Sequence, residues 1–137
     1  LEIQLVELDV TDGASVERAI STVLGDAGHI DNFVSNAGIN ESACIEDTEV
    51  EVFERVMATN FFGAMRCVRA VLPHMRERGS GCIAAVTSQS GRIAQPTQGA
   101  YAASKYALEA AFEVLALEVA RLESDIAAAR AQLPAIG

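Results

Sequence analysis

Apolar positions along the chain fall into short extended runs that alternate with longer stripes at helical spacing. Ile3 to Leu8 (IQLVEL) reads as a strand, and DVTDG after it as a turn that delivers a helix cap at Asp12 or Ser15. Val16, Ile20, Val23 and Leu24 then lie on one helical stripe, which stops at Gly25 and Gly28. Ile30 to Ser35 returns to an apolar strand, and Asn36, Ala37 and Gly38 make a tight corner before a polar loop to Asp47. Thr48 to Thr59 is helical, with Val52, Phe53, Val56 and Met57 on one face. Phe61 to Arg78 is a longer helix closed by glycines, with Asn60 at the joint and Pro73 removing a backbone donor near its end, where it kinks or thins the last turns. Cys82 to Thr87 is again a strand, and Ala100 to Arg121 a long Ala- and Leu-rich helix. Residues 122–137 continue as a helical tail with Leu122, Ile126, Ala129 and Leu133 on one stripe. The alternation predicts an α/β fold: one domain over 1–137, with an incomplete parallel sheet of about three strands flanked by helices.

Composition narrows the function classes. The chain has 137 residues, 50% of them apolar, enough for one core but not two. A net charge of -9 leaves no basic stripe for a phosphate backbone and repels anionic lipid, so neither nucleic acid nor membrane is an expected partner. Cys44, Cys67 and Cys82 are scattered, and His29 and His74 lack clustered partners and are expected to face solvent. A reduced, cytoplasmic setting without a metal site follows as the expectation. The first residues lack the charged-then-apolar order of a signal peptide. The chain opens on Leu1 inside a strand-like run and without Met, and sequence upstream of it is expected.

The richest stretch runs from Gly79 to Leu108, GSGCIAAVTSQSGRIAQPTQGAYAASKYAL. It reads as a buried strand, a Gly- and Pro-marked loop and the start of a helix. Ser88 stands at the strand's end, and Tyr101 and Lys105 lie one helical turn apart, on one face. A free phenol titrates near pH ~10, and a fixed cation within about 4–6 Å brings it down toward neutrality. Lys105 is the chain's single lysine among ten basic residues. The group makes a proton donor and acceptor.

Ser88 precedes Tyr101 by 13 residues and follows Asn60 by 28, and LDVTD at 8–12 and SNAG at 35–38 stand in order upstream. In these motifs residues 3–120 resemble the middle of a short-chain dehydrogenase/reductase, a family of NAD(P)-dependent Rossmann-type oxidoreductases. The resemblance implies a catalytic set of Asn60, Ser88, Tyr101 and Lys105 acting on a small alcohol or carbonyl substrate. Tyr101 would exchange the proton, and Ser88 would hold the substrate oxygen. Lys105 would also hold the nicotinamide ribose, and the Asn60 main-chain carbonyl would hold a water leading from Lys105 to solvent. Asp9 and Val10 would border adenine, and Asn36, Ala37 and Gly38 would line the adenosine side of NAD or NADP, although Ser35 stands where many members have Asn. Other readings stay open beside these: Asp9 as a turn cap, Asn36 to Gly38 as a plain corner, Ser88 as a strand-end turn residue, Asn60 as a helix-joint cap, and Tyr101 and Lys105 as solvated helix residues.

Parts of the family pattern are missing. No G-x-G-x-x-G or T-G-x-x-x-G-x-G occurs, so the turn that meets the pyrophosphate is absent from these residues. The residue that selects NAD or NADP would stand upstream of Leu1. In the family's sheet order, two strands would separate the first strand here from the second. The expectation is that these two pair directly, in a compact three-stranded sheet with apolar surface still exposed. The resemblance also implies a homo-oligomer through the two long helices, on the faces of Phe61 to Met75 and Tyr101 to Leu117. Three functions stand at this point: the catalytic portion of an oxidoreductase, an inactive interaction module that cannot hold dinucleotide, or a dehydratase or epimerase on the same scaffold. GRIAQPTQGAYAASKYALEA leans toward members acting on steroid- or retinol-like alcohols.

Overall fold

The structure, a computed structural model, describes residues 3–132, with side chains through residue 120. Asp12 accepts a hydrogen bond from the Ala14 amide and starts α1 (Gly13–Ala27), and left-handed Gly28 ends it by donating to the Leu24 carbonyl. Of the two candidate caps, Asp12 therefore caps; Ser15 Oγ instead accepts from the Asp9 amide at 3.0 Å. Next come β1 (Asn32–Ser35), α2 (Val50–Met57), a π-helical turn (Ala58–Gly63), α3 (Ala64–Arg78), β2 (Cys82–Ala85) and α4 (Gly99–Gln132). Short 3-10 turns at Ile45–Asp47 and Gln89–Gly91 complete the order. The π-helical turn carries Asn60 at the expected joint between two helices. α3 continues through Pro73 to Arg78. α4 runs on through Gln132, so the tail is helical to that point; the stripe of Leu122, Ile126, Ala129 and Leu133 lies outside the residues whose side chains are described.

The α/β architecture stands, but among the described residues the sheet has two strands rather than about three. β1 pairs in parallel with β2, Asn32 opposite Cys82 and Ser35 opposite Ala85. Ile3 to Leu8 takes no strand pairing: Ile3 and Leu5 are 79% and 91% exposed, and Gln4 Nε2 donates to Asp26 Oδ2 near the end of α1. A four-residue edge offers few ladder bonds. Fixing the backbone costs about 1–2 kcal/mol per residue, and with no second neighbour to bury its other side the run stays unpaired. The expected exposed apolar surface is present, with Val34 of β1 58% exposed.

The main core lies between α1 and α3. Val16 and Ile20 meet Cys67, Val71 and Met75, and Phe33 from β1 and Ile83 from β2 pack against the same cluster. Burying such side chains is worth about 1.5–3 kcal/mol each, which is what holds the short sheet to the helices. α4 packs against α2, the π-helical turn and the Gln89–Gly91 turn. The first part of α4 is thereby fixed against the segments that follow the two strands.

Candidate active site

Parallel strands bring their carboxyl ends to one edge, where a ligand meets the loops that follow them. Here β1 ends at Ser35 and β2 at Ala85, opposite one another, so Asn36 to Gly38 and Val86 to Ser88 leave the sheet side by side. α4 delivers Tyr101 and Lys105 to this edge. Lys105 is 4% exposed, and its Nζ donates to the Val86 carbonyl at 2.8 Å while lying 5.7 Å from the centre of the Tyr101 ring. A buried polar group needs such partners. Tyr101 and Ser88 are half-buried. The ammonium thus lies on the same side of α4 as the phenol's ring, one helical turn away.

Asn60 is 1% exposed and does not cap its own helix. Its Oδ1 accepts from the Ile39 amide at 2.8 Å, and its Nδ2 donates to the Ile39 carbonyl and to Ser104 Oγ, both at 2.9 Å. The side chain is fully used in tying the corner after β1 to the π-helical turn and α4. Gly38 lies inside this junction: a Cβ there would stand 3.3 Å from Asn60 Oδ1 and 3.7 Å from Lys105 Nζ. Gly38, Asn60, Tyr101 and Lys105 therefore form one constellation. Asn36 and Ala37 precede it on the exposed corner.

Ser88 caps the Gln89–Gly91 turn, its Oγ accepting from the Ser90 amide at 3.2 Å. The turn presses onto α4 at Gly91, where a Cβ would come within 3.1 Å of the Lys105 carbonyl oxygen and 3.2 Å of Glu109 Cγ. Glu109 grips both flanks of the turn. The Thr87 hydroxyl and then Arg92, whose Nη2 is 3.1 Å from Glu109 Oε2, hold its carboxyl below the usual range.

Val10 reaches the π-helical turn at Gly63, while Asp9, among the described residues, bonds only within its own turn and to Ser15. Asp9 Oδ1 accepts from the Thr11 hydroxyl and amide, both at 2.8 Å, and these bonds, the hydroxyl's first, lower its carboxyl pKa. That is the turn-capping reading of Asp9 in operation. Val10 packs on the bare backbone of Gly63, where a Cβ would fall 2.8 Å from Val10 Cγ2, and Arg66 Nη1 donates to the Val10 carbonyl. The π-helical turn thus carries Asn60 on one part and receives Val10 on another.

Several contributors escaped the sequence reading: Ser104, the Val86 carbonyl, Gly63, Gly91 and Glu109. None left a pattern of its own in the sequence, Ser104 being one serine three residues after Tyr101 on an Ala-rich stretch. Among the described residues, no group of three or more His, Cys, Asp or Glu side chains converges as a metal site. His29 and His74 are exposed, and a cavity of about 250 Å³ beside them lies before the start of β1, away from the constellation.

Residues 1–133 match the family described as short chain dehydrogenase. The chain belongs to the short-chain dehydrogenase family. Among its relatives, dehydrogenase/reductase SDR family member 7B of Bos taurus is 39% identical over 121 residues, covering 88% of this chain and 37% of the relative. The 3-ketodihydrosphingosine reductase of Bacteroides thetaiotaomicron is 37% identical over 118 residues, covering 86% and 44%. A short-chain dehydrogenase structure from Streptomyces avermitilis superposes with a TM-score of 0.81 at 39% identity, over 84% of this chain and 42% of that one. The structure of ElxO with NADP bound gives 0.81 at 30% identity, over 83% and 46%. The chain therefore spans less than half the length of these relatives.

Proposed function

We propose that this chain is the catalytic portion of an NAD(P)-dependent oxidoreductase that interconverts an alcohol and a ketone or aldehyde, with turnover belonging to a longer polypeptide that contains it. The observation that carries the reading is the buried Lys105 ammonium, anchored on the Val86 carbonyl and held 5.7 Å from the Tyr101 ring beside the bare backbone at Gly38. Family membership supports the reaction class. The names of the 3-ketodihydrosphingosine reductase relative and of the NADP-bound ElxO structure support a carbonyl substrate and a nicotinamide cofactor.

The residues present fit the nicotinamide half of such a cofactor. An ammonium has three N–H donors, and the Val86 carbonyl takes one, so Lys105 has the donors a pair of ribose hydroxyls requires. Gly38 leaves the corner above it without a side chain. When bound, the cofactor supplies or accepts the hydride. Tyr101 gives its phenolic proton to the carbonyl oxygen in reduction, or takes it from the hydroxyl in oxidation. Ser88 donates a hydrogen bond to that oxygen and orients it. Lys105 holds positive charge beside the phenol, so the phenolate that forms is stabilised without reorganisation. Asn36 to Gly38 line the adenosine side, with Asp9 and Val10 bordering adenine. The same reading expects a cytoplasmic protein, its three described cysteines free, and a homo-oligomer through the two long helices. Of the two faces named for it, that of Phe61 to Met75 is taken up in the core at Cys67, Val71 and Met75, which leaves that of Tyr101 to Leu117. Tyr106, Val114 and Leu117 of α4 are 43%, 53% and 72% exposed there.

Two measurements test this. Fluorescence titration of the folded 137-residue chain with NADH and NADPH asks whether the nicotinamide side suffices for binding. In the longer polypeptide, Tyr101→Phe is expected to leave cofactor affinity within about threefold and to lower kcat by at least about 100-fold, the usual worth of a general acid. Turnover that survives Tyr101→Phe overturns the reading.

A further inference from the structure

We propose that Ser104 is a positioning residue that fixes the proton-transfer face of α4 against the cofactor-side corner, by relaying a hydrogen-bond chain from the Asn60 amide to the Tyr101 carbonyl. The inference rests on the oxidoreductase reading above and adds to it a residue outside the set of four. Ser104 is 0% exposed and Asn60 1% exposed. Asn60 Nδ2 donates to Ser104 Oγ at 2.9 Å, and Ser104 Oγ donates to the Tyr101 carbonyl at 2.7 Å.

The direction of this chain is fixed by chemistry. A carbonyl only accepts and an amide NH2 only donates, so the single hydroxyl proton of Ser104 is committed to Tyr101. Asn60 cannot turn over, because Ile39 presents its amide to Oδ1 and its carbonyl to Nδ2 at 2.8 and 2.9 Å. A flip would set donor against donor and acceptor against acceptor. One polar chain, buried at Asn60 and Ser104, therefore joins three segments: the corner after β1, the π-helical turn, and the start of α4. Helix formation does not ask for it, since Ala suits a buried helical position better than Ser. What the hydroxyl supplies is the placement of the start of α4, and with it the Tyr101 phenol that moves the proton, against the Ile39 corner. Buried hydrogen bonds in low dielectric resist small displacements, and misplacing reacting groups by about 1 Å can cost 100-fold in rate.

The test uses the longer polypeptide with Ser104→Ala, Asn60→Ala and the double variant, with rates expressed per folded molecule. Ser104→Ala is expected to lower kcat by roughly 10- to 100-fold while KM for cofactor and substrate stays within about threefold. The double variant is expected to lose no more kcat than Asn60→Ala alone, because both changes cut one chain. Ser104→Thr, which keeps the hydroxyl, is expected to recover most of kcat. Where Ser104→Ala does not fold, Ser104→Cys keeps the volume with a weaker donor and is expected to show the same fall in kcat at unchanged KM. A wild-type kcat in Ser104→Ala with only a lower thermal midpoint, or losses in kcat that add in the double variant, overturns the proposal. Wild-type protein without Tyr101-dependent turnover removes the oxidoreductase reading and this inference together, an outcome distinct from either of those.

Discussion

The start of α4 and the N-terminal run of the chain are both apolar in sequence, yet they settle in opposite ways. Around Lys105 and Ser104, every polar group taken from water meets a partner: the Val86 carbonyl, the Tyr101 carbonyl and the Asn60 amide. Around Leu5, a run with the composition of a strand has no ladder and stays 91% exposed. Helical contacts repeat within a turn, so α4 can assemble its site from its own residues and two nearby loops. A strand has nothing to bond until another strand lies beside it. The difference teaches that the placement of Lys105 beside Tyr101 does not depend on the width of the sheet. Two paired strands suffice to bring Gly38 and Val86 to Lys105.

Asn60→Ala is the most damaging way to probe that contrast. It strips partners from the Ile39 amide and carbonyl at a part-buried corner and from the buried Ser104 hydroxyl. Each stranded buried group costs about 1–3 kcal/mol, partly recovered by relaxation, so a loss of about 2–4 kcal/mol in unfolding free energy is expected. Urea unfolding followed by circular dichroism measures it. A loss under about 1 kcal/mol would mean that water replaces the lost partners at this corner.

Leu5→Ser is the matching change on the exposed run, and its expected effect on unfolding free energy is within about 0.5 kcal/mol. Leu5 is already in solvent, so folding gains nothing from its side chain. A loss above about 1 kcal/mol would show that the run finds a partner, and concentration dependence of that loss would identify the partner as a second copy of the chain.

Legibility follows the same division. α1, α3 and α4 could be read because their stripes are long and their ends are marked by Asp12, Gly28 and Gly79. The placement of Lys105 beside Tyr101 could be read because one helical turn fixes it. Ile3 to Leu8 could not, since strand pairing is a property of two segments and the sequence shows only one. Ser104 was hidden for a related reason: its partner Asn60 is 44 positions away, and a serine on an Ala-rich helix has no pattern of its own. Gly63 and Gly91 matter for side chains they lack, and what would fill the space, Val10 in one case and Lys105 and Glu109 in the other, appears only once the chain is folded.

The smallest expected effect lies at the opposite end of β1 from the constellation. There Asp31 pairs with Arg78 and with His29 Nε2, the latter at 3.2 Å, on an exposed surface. Arg78 first, opposed by partial desolvation and helped by His29, holds the Asp31 carboxyl below its ordinary 3.8. A carboxyl whose folded pKa is depressed contributes stability that is fully present above the unfolded value and disappears as pH falls through the folded one. Asp9 and Glu109 are lowered too, so acid unfolding of the wild type alone would mix three groups. The difference between wild type and Asp31→Asn removes that ambiguity, because the other two titrate in both proteins. The thermal midpoint of wild type is expected to exceed that of Asp31→Asn slightly from neutrality down to about pH 5, with the gap closing below the ordinary 3.8 of a carboxyl. Salt should narrow the gap at neutral pH, as it does for exposed pairs. A gap that widens on acidification would mean that the Asp31 carboxyl is favoured protonated in the fold, with Arg78 turned elsewhere.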